Sequence, residues 1–294
     1  MTATTLILGA LKASLMCMVF AVGLGAKPSE ALYLFRRPGQ LARVIIAMHL
    51  IMPLLVIAAV AAFPLEVPVK IALLALAASP VPPVLPKQAF RAGGSREYII
   101  GLLVSACVLA VVIVPLSLGV GTLVLGRPSE IPPLQIVIQV LGGVLAPLLA
   151  GSIVHAVAPQ LARRALKPLS AASIVLLIVS ALPVLIRAWP AVVTLVGNGT
   201  LLAFVVFVAL GLLVGQLLGG PEPGNRKVLA LATGSRHPGI AVALAHAAFP
   251  TETLVAPAVL AYLLVGALVG TAYLSWSKPR APAEVGSRAE QNAR

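Results

Sequence analysis

The chain has 294 residues, 60% hydrophobic, 10% charged and 4% aromatic, with a mean hydropathy of +1.07. Soluble domains hold about 45–50% apolar and about 25% charged residues, so an ordinary soluble enzyme, a nucleic-acid module and a disordered protein are excluded and a polytopic membrane protein remains. The formal net charge of +13 comes from basic residues set between apolar runs, which makes it a signal of topology rather than of nucleic-acid binding.

A helix crosses a bilayer core with about 20 apolar residues. In chain order such runs cover 5–24, 41–63, 69–90, 98–121, 134–157, 168–187, 196–218, 226–248 and 254–276. They predict an all-α fold of about nine transmembrane helices, with a transmembrane domain over 1–276 and a polar cytoplasmic tail over 277–294. The first run reads as a span and not as a signal peptide, because the first five residues carry no charged side chain and Lys12 sits inside the run. Cys17 and Cys107 both lie within apolar runs and read as small buried hydrophobes. The glycosylation sequon Asn198-Gly199-Thr200 falls at the start of a span and reads as chance.

With this span count, fifteen of the 21 Lys and Arg residues fall in one set of loops, span ends and the tail. The opposite set holds Lys70, Arg127 and Arg187, and Lys12, Lys87 and Arg236 lie within spans. Positive loops face the cytoplasm, which predicts an outside N-terminus, a cytoplasmic C-terminus and residence in the plasma (inner) membrane.

The sequence has no Asp, and its eight Glu residues lie in loops, at span ends or in the tail. The ionisable groups within spans are Lys12, His49, Lys87, His155, Arg236, His237 and His246. A charge at mid-membrane is costly and therefore a functional candidate. Lys12 is placed to snorkel to an interface, and His155 and His246 lie near span ends. Lys87, Arg236 and His237 stand out because their spans are interrupted. The third carries Pro80, Pro82, Pro83 and Pro86 ahead of Lys87 and Gln88, and four prolines in seven residues cannot form continuous helix. The eighth carries Thr233-Gly234-Ser235-Arg236-His237-Pro238-Gly239. Broken backbone at membrane depth is tolerated where protein or a water-filled cavity satisfies it. A pair of broken spans at matching places in two halves points to a transporter site between inverted repeats. Each break is the middle span of a group of three, and the offset of five spans inverts the second group.

These residues resemble the bile acid:sodium symporter family. The resemblance runs through residues 18–27, Arg36-Arg37-Pro38 and Met48-His49-Leu50-Ile51-Met52-Pro53, the broken span that opens Ser79-Pro80, and residues 226–245 with Thr233-Gly234 before an Ala-rich helix. It covers nearly all of the chain in span order, through short motifs. It implies two inverted three-helix core repeats whose middle helices unwind and cross (core about 41–121 and 196–276), beside a panel of helices (about 5–24 and 134–187). It also implies transport of a small or amphipathic organic anion by alternating access.

The sequence departs from the family where sodium is bound. Ala232 stands where a Glu usually precedes Thr-Gly, Arg236 and His237 stand where Gln and Asn usually follow, and His49 stands where a Gln usually precedes Pro53. Leu85-Pro86 stands in place of a Ser-Asn pair. Sodium is a hard cation that wants oxygen ligands, as calcium and magnesium do. The expectation is therefore that Lys87 and Arg236 replace the sodium ions, holding freed carbonyls and leaving positive potential for an anion. His49 and His237, imidazoles that ordinarily titrate near neutral pH, are the candidates for proton coupling. The alternatives are a sodium-coupled symporter with Ser79, Thr233 or Ser235 as ligands, and a membrane sensor that binds without transport. No carboxylate pair, metal cluster or nucleophile–base arrangement points to an enzyme. No cofactor is expected beyond the doubted sodium, and no nucleic-acid partner. Gly142-Gly143 and the Gly211/Gly215 pair permit close helix approach, in a homodimer or internally. The charge distribution predicts that a tag at the C-terminus of the protein in intact cells is reached only from the cytoplasm, and a tag at the N-terminus only from outside. Protease protection of the two tags checks this.

Overall fold

The computed structural model describes residues 3–82, 84–126, 132–197 and 199–277. Pro83, Arg127, Asn198 and the tail from Lys278 onward lie outside the described residues. Among those described, the chain is helical and contains no strand.

The helices are α1 Ala3–Gly25, α2 Pro28–Ala31, α3 Pro38–Ile45, α4 Met52–Ala62, α5 Val67–Ala78, α6 Leu85–Arg91 and α7 Arg96–Leu125. They continue as α8 Pro133–Val140, α9 Ala146–Val157, α10 Pro159–Thr194, α11 Thr200–Leu218, α12 Pro223–Gly234, α13 Pro238–Ala248 and α14 Val255–Trp276. Wider π-helical turns, Ile46–Ile51 and Leu141–Leu145, join α3 to α4 and α8 to α9. Most helices open with a proline in the first two positions, and at a free helix N-terminus the missing N–H leaves no hydrogen bond unmade; Pro53 of α4 and Pro147 of α9 instead follow π turns.

Six helical stretches are long and apolar enough to cross a membrane: Pro38–Ala62, Arg96–Leu125, Pro159–Thr194, Thr200–Leu218, Pro223–Ala248 and Val255–Trp276. Gly9–Gly25, Val67–Ala78 and Leu141–Val157 are shorter apolar helices. Each of these stretches falls in a different one of the apolar runs read from the sequence. The protein is thus an all-helical polytopic membrane protein.

Some boundaries differ from the sequence reading. The run at 168–187 belongs to a 36-residue helix, α10. Charge marks where apolar character stops, not where a helix stops, and α10 continues through Arg163, Arg164 and Lys167. Pro86, Pro238 and Gly239 were expected within the breaks, yet they lie in the first turns of α6 and α13, where proline is preorganised for helix. Gly234 is the last residue of α12. Among the described residues the breaks proper are 79–82 with 84, and 235–237.

The core is built around α5, whose residues from Ile71 to Ala78 are all buried. It packs against α4, α7, α13 and α14. On the other side α1 packs on α9 and α10. A separate small cluster, Val19, Cys107, Val144 and Leu148, joins α1, α7 and the 141–157 stretch. Much of α10 is exposed through apolar side chains such as Leu182 and Ile186, as expected of a face turned to lipid.

The Gly211/Gly215 pair serves internal packing. A Cβ on Gly211 would stand 2.6 Å from the Gly234 Cα, and one on Gly215 would stand 2.5 Å from the Ala230 Cα. The pair lets α11 lie directly on α12, backbone against backbone. A Cβ on Gly142 meets nothing within 4 Å. Gly215→Ala is therefore expected to cost about 1–3 kcal/mol through overpacking, while Gly142→Ala leaves stability nearly unchanged. Thermal unfolding of the two purified variants separates these outcomes.

Candidate functional site

The two breaks meet. Helix α5 ends at Ala78, Ser79 is its extended C-cap, and the non-helical continuation carries Pro80 and Pro82, both buried. Helix α12 ends at Gly234, and Ser235 and His237 are extended before α13 begins. The His237 backbone N–H donates to the Pro80 carbonyl at 3.0 Å. Each break thus satisfies polar groups that the other has freed, which is the condition for irregular backbone at membrane depth.

Arg236 extends this cross-link. It is 1% exposed, the largest of the fully buried side chains. Its Nη1 donates to the Ser79 carbonyl at 3.3 Å and its Nη2 to the Met48 carbonyl at 2.8 Å. The Met48 carbonyl is open because the π turn would pair it with the residue five positions on. That residue is Pro53, which has no N–H. The Ser79 carbonyl stands at the C-cap of α5, and Arg236 itself follows the end of α12. A helix C-terminus carries about half a negative charge, so the guanidinium stands where two such ends converge. Positive charge is favoured there, which is what a bound cation would exploit.

Tyr262, on α14, completes the second break. Its hydroxyl accepts from the Arg236 backbone N–H at 2.6 Å and donates to the Gly234 carbonyl at 3.3 Å. The ring is fixed by edge-on contacts with Phe204 and Phe207, centroids 6.0 and 5.8 Å away. Tyr262 was missed in the sequence, where the available signal was a hydroxyl inside an apolar run, a group that demands a partner when buried.

His237 caps α13. Its Nδ1 accepts from the Ile240 backbone N–H at 3.3 Å. In the neutral ring this assigns the proton to Nε2. Nε2 is fully buried and has no hydrogen-bond partner among the described residues. His237 also lines a cavity of about 10 Å³, with Val19, Val22, Leu103, Cys107 and Ile240 among the other walls. A single buried donor, at the positive end of an 11-residue helix, therefore borders an apolar space between α1, α7 and α13.

His49 lies in the π turn, next in sequence to the carbonyl that Arg236 takes, and feels the Arg236 charge. Both its ring nitrogens are buried without a partner among the described residues. Thr233 and Ser79 are buried, and their hydroxyls bond back to Leu229 and Leu76 of their own helices at 2.7 and 2.9 Å. Ser235 is half-buried beside Arg236. Lys87 is not brought into this cluster. It is exposed on the short helix α6, with the half-buried Gln88 beside it. Of the two cations expected to hold freed carbonyls, Arg236 does so. Lys87 does not, because α6 turns its buried face through Leu85 and Ala89.

The family model described as "Sodium Bile acid symporter family" matches residues 13–189, more than half of the chain. The match includes the first break and ends before the second. No curated protein matches the chain.

Removing the Tyr262 hydroxyl strands one buried donor and one buried acceptor while keeping the aromatic packing. Tyr262→Phe is expected to destabilise the protein by about 1–3 kcal/mol, read as a lower unfolding temperature in detergent.

Proposed function

The chain belongs to the sodium bile acid symporter family, a family of transporters rather than enzymes, and from that premise we propose that it is a secondary transporter of organic anions whose sodium site is filled by Arg236. It is a multi-pass membrane protein whose partners are the lipid bilayer and a small-molecule substrate. In this reading a core of about 41–121 and 196–276 works against a panel of about 5–24 and 134–187 by alternating access. The N-terminus lies outside the plasma (inner) membrane, and the tail over 277–294 lies in the cytoplasm.

The observation that carries the proposal is the buried Arg236 guanidinium between the Ser79 and Met48 carbonyls. A sodium ion 4 Å from such a charge would be repelled by about 4 kcal/mol at an effective dielectric constant near 20. The guanidinium supplies what sodium supplies in such a site, a positive charge that ties two broken helices together. Lys87 has no part in it. The bonding of the Thr233 and Ser79 hydroxyls to their own helices supports the same reading.

The anion is received at His237. Its Nε2–H and the N-terminus of α13 favour a negatively charged oxygen, and the walls of Val19, Val22, Leu103 and Ile240 favour an apolar body. A volume of about 10 Å³ holds no more than one water, so the site admits substrate only when the two sides separate. His49 and His237 are the groups that would carry a proton if transport is proton-coupled; otherwise transport is uncoupled.

Uptake of labelled organic anions into proteoliposomes tests this. The expected rate is the same in sodium, potassium and choline buffers, and Arg236→Ala abolishes uptake. Uptake that requires sodium would overturn the proposal, and dependence on an imposed pH gradient would assign proton coupling.

A further inference from the structure

We propose that Arg96 is an ionic latch that holds shut the seam between α1, α9 and α10 on one side and α5, α7 and α13 on the other. The inference rests on the transporter reading for its purpose, though not for its geometry.

Arg96 is the first residue of α7. Its Nε donates to the Glu30 Oε1 at 2.8 Å, and its Nη2 donates to the Gly25 carbonyl at 2.8 Å. Gly25 is the last residue of α1. One guanidinium therefore holds a carboxylate and the negative end of a long helix together.

The two attachments belong to different sides of the seam. Glu30 travels with α7. Its second oxygen accepts from the Lys27 N–H at 3.0 Å, capping α2, and α2 packs on α7. Gly101 of α7 brings the two backbones close, since a Cβ there would stand 3.2 Å from the Glu30 carbonyl oxygen. The start of α7 is also fixed to α12, where the Ser95 N–H and hydroxyl both donate to the Asn225 Oδ1 at 3.2 Å. Helix α1 is instead packed on α9 and α10. Ala26 and Lys27, between α1 and α2, are not helical and provide the joint. The bond that must break for the sides to part is Arg96 to Gly25.

Elsewhere the two sides meet where α10 packs on α14, with Val192 of α10 in the main core. Around the cavity the seam is closed by the small cluster of Val19, Cys107, Val144 and Leu148, separate from that core. It encloses the cavity that His237 borders. The latch is accessible to control from the guanidinium side, because Arg96 is 47% exposed while its partner Glu30 is buried at 5%. Salt in the surrounding solution screens a half-exposed guanidinium.

Cys107 is a native reporter, buried in the closed seam and lining the cavity. In a Cys17→Ser background, the purified protein in detergent is reacted with a maleimide at a temperature below the onset of unfolding of each variant. Arg96→Ala and Glu30→Gln are each expected to raise the Cys107 labelling rate roughly tenfold by shifting the population toward the parted state. In the otherwise unmodified latch, 1 M salt is expected to raise the rate, and in Arg96→Ala it has no further effect. Equal rates in all three proteins overturn the latch. If a variant does not fold, the salt response decides, and a rate indifferent to salt overturns it as well. The assay reads thiol access and not flux, so a protein that fails to transport would sink the transporter reading and leave the latch standing.

Discussion

The centre of this molecule depends on an exchange of hydrogen bonds between two stretches of chain that have given up their own. Proline at 80 and 82 and the extended residues 235–237 strip helical partners from carbonyls and amides deep in an apolar bundle. In lipid such groups have no water to turn to. They turn to each other through His237 and Pro80, to the Arg236 guanidinium, and to the Tyr262 hydroxyl. The π turn before Pro53 follows the same logic, since it opens the Met48 carbonyl that the guanidinium takes.

This dependence accounts for the arrangement around it. Helix α5 is buried on nearly every face because its end must be presented at the middle of the bundle, and α12 must lie close enough to meet it. Gly211 and Gly215 permit that approach by letting α11 rest on the α12 backbone. Phe204 and Phe207 on α11 hold the Tyr262 ring in place. Glycine, aromatic and arginine serve one end, a pair of interrupted helices held at fixed separation.

Much of this was legible in the sequence. The apolar runs mark the helices because about 20 such residues have no other stable use in a chain of this composition. The prolines mark the breaks, and a lone arginine amid them marks the place where they matter. Three kinds of information were not legible. Helix ends were not, because α10 runs on through charged residues and because Pro86 and Pro238 start helices rather than interrupt them. Depth was not, because Lys87 and Arg236 look alike beside their prolines, while only the packing of α6 turns Lys87 outward. The partners of Arg236 were not, because they are main-chain carbonyls, and every residue has one.

A sodium ion bound between two helix ends can leave, whereas Arg236 cannot. Its charge stays with the bundle whichever way the bundle faces. If it shifts along the membrane normal, the transmembrane potential does work on it, about 2.3 kcal/mol for a full crossing at 100 mV. With a monoanion bound beside it, the pair is neutral and the potential has little hold on it. For a transporter of monoanions built this way, the membrane voltage would act on the empty protein and leave the loaded one almost untouched.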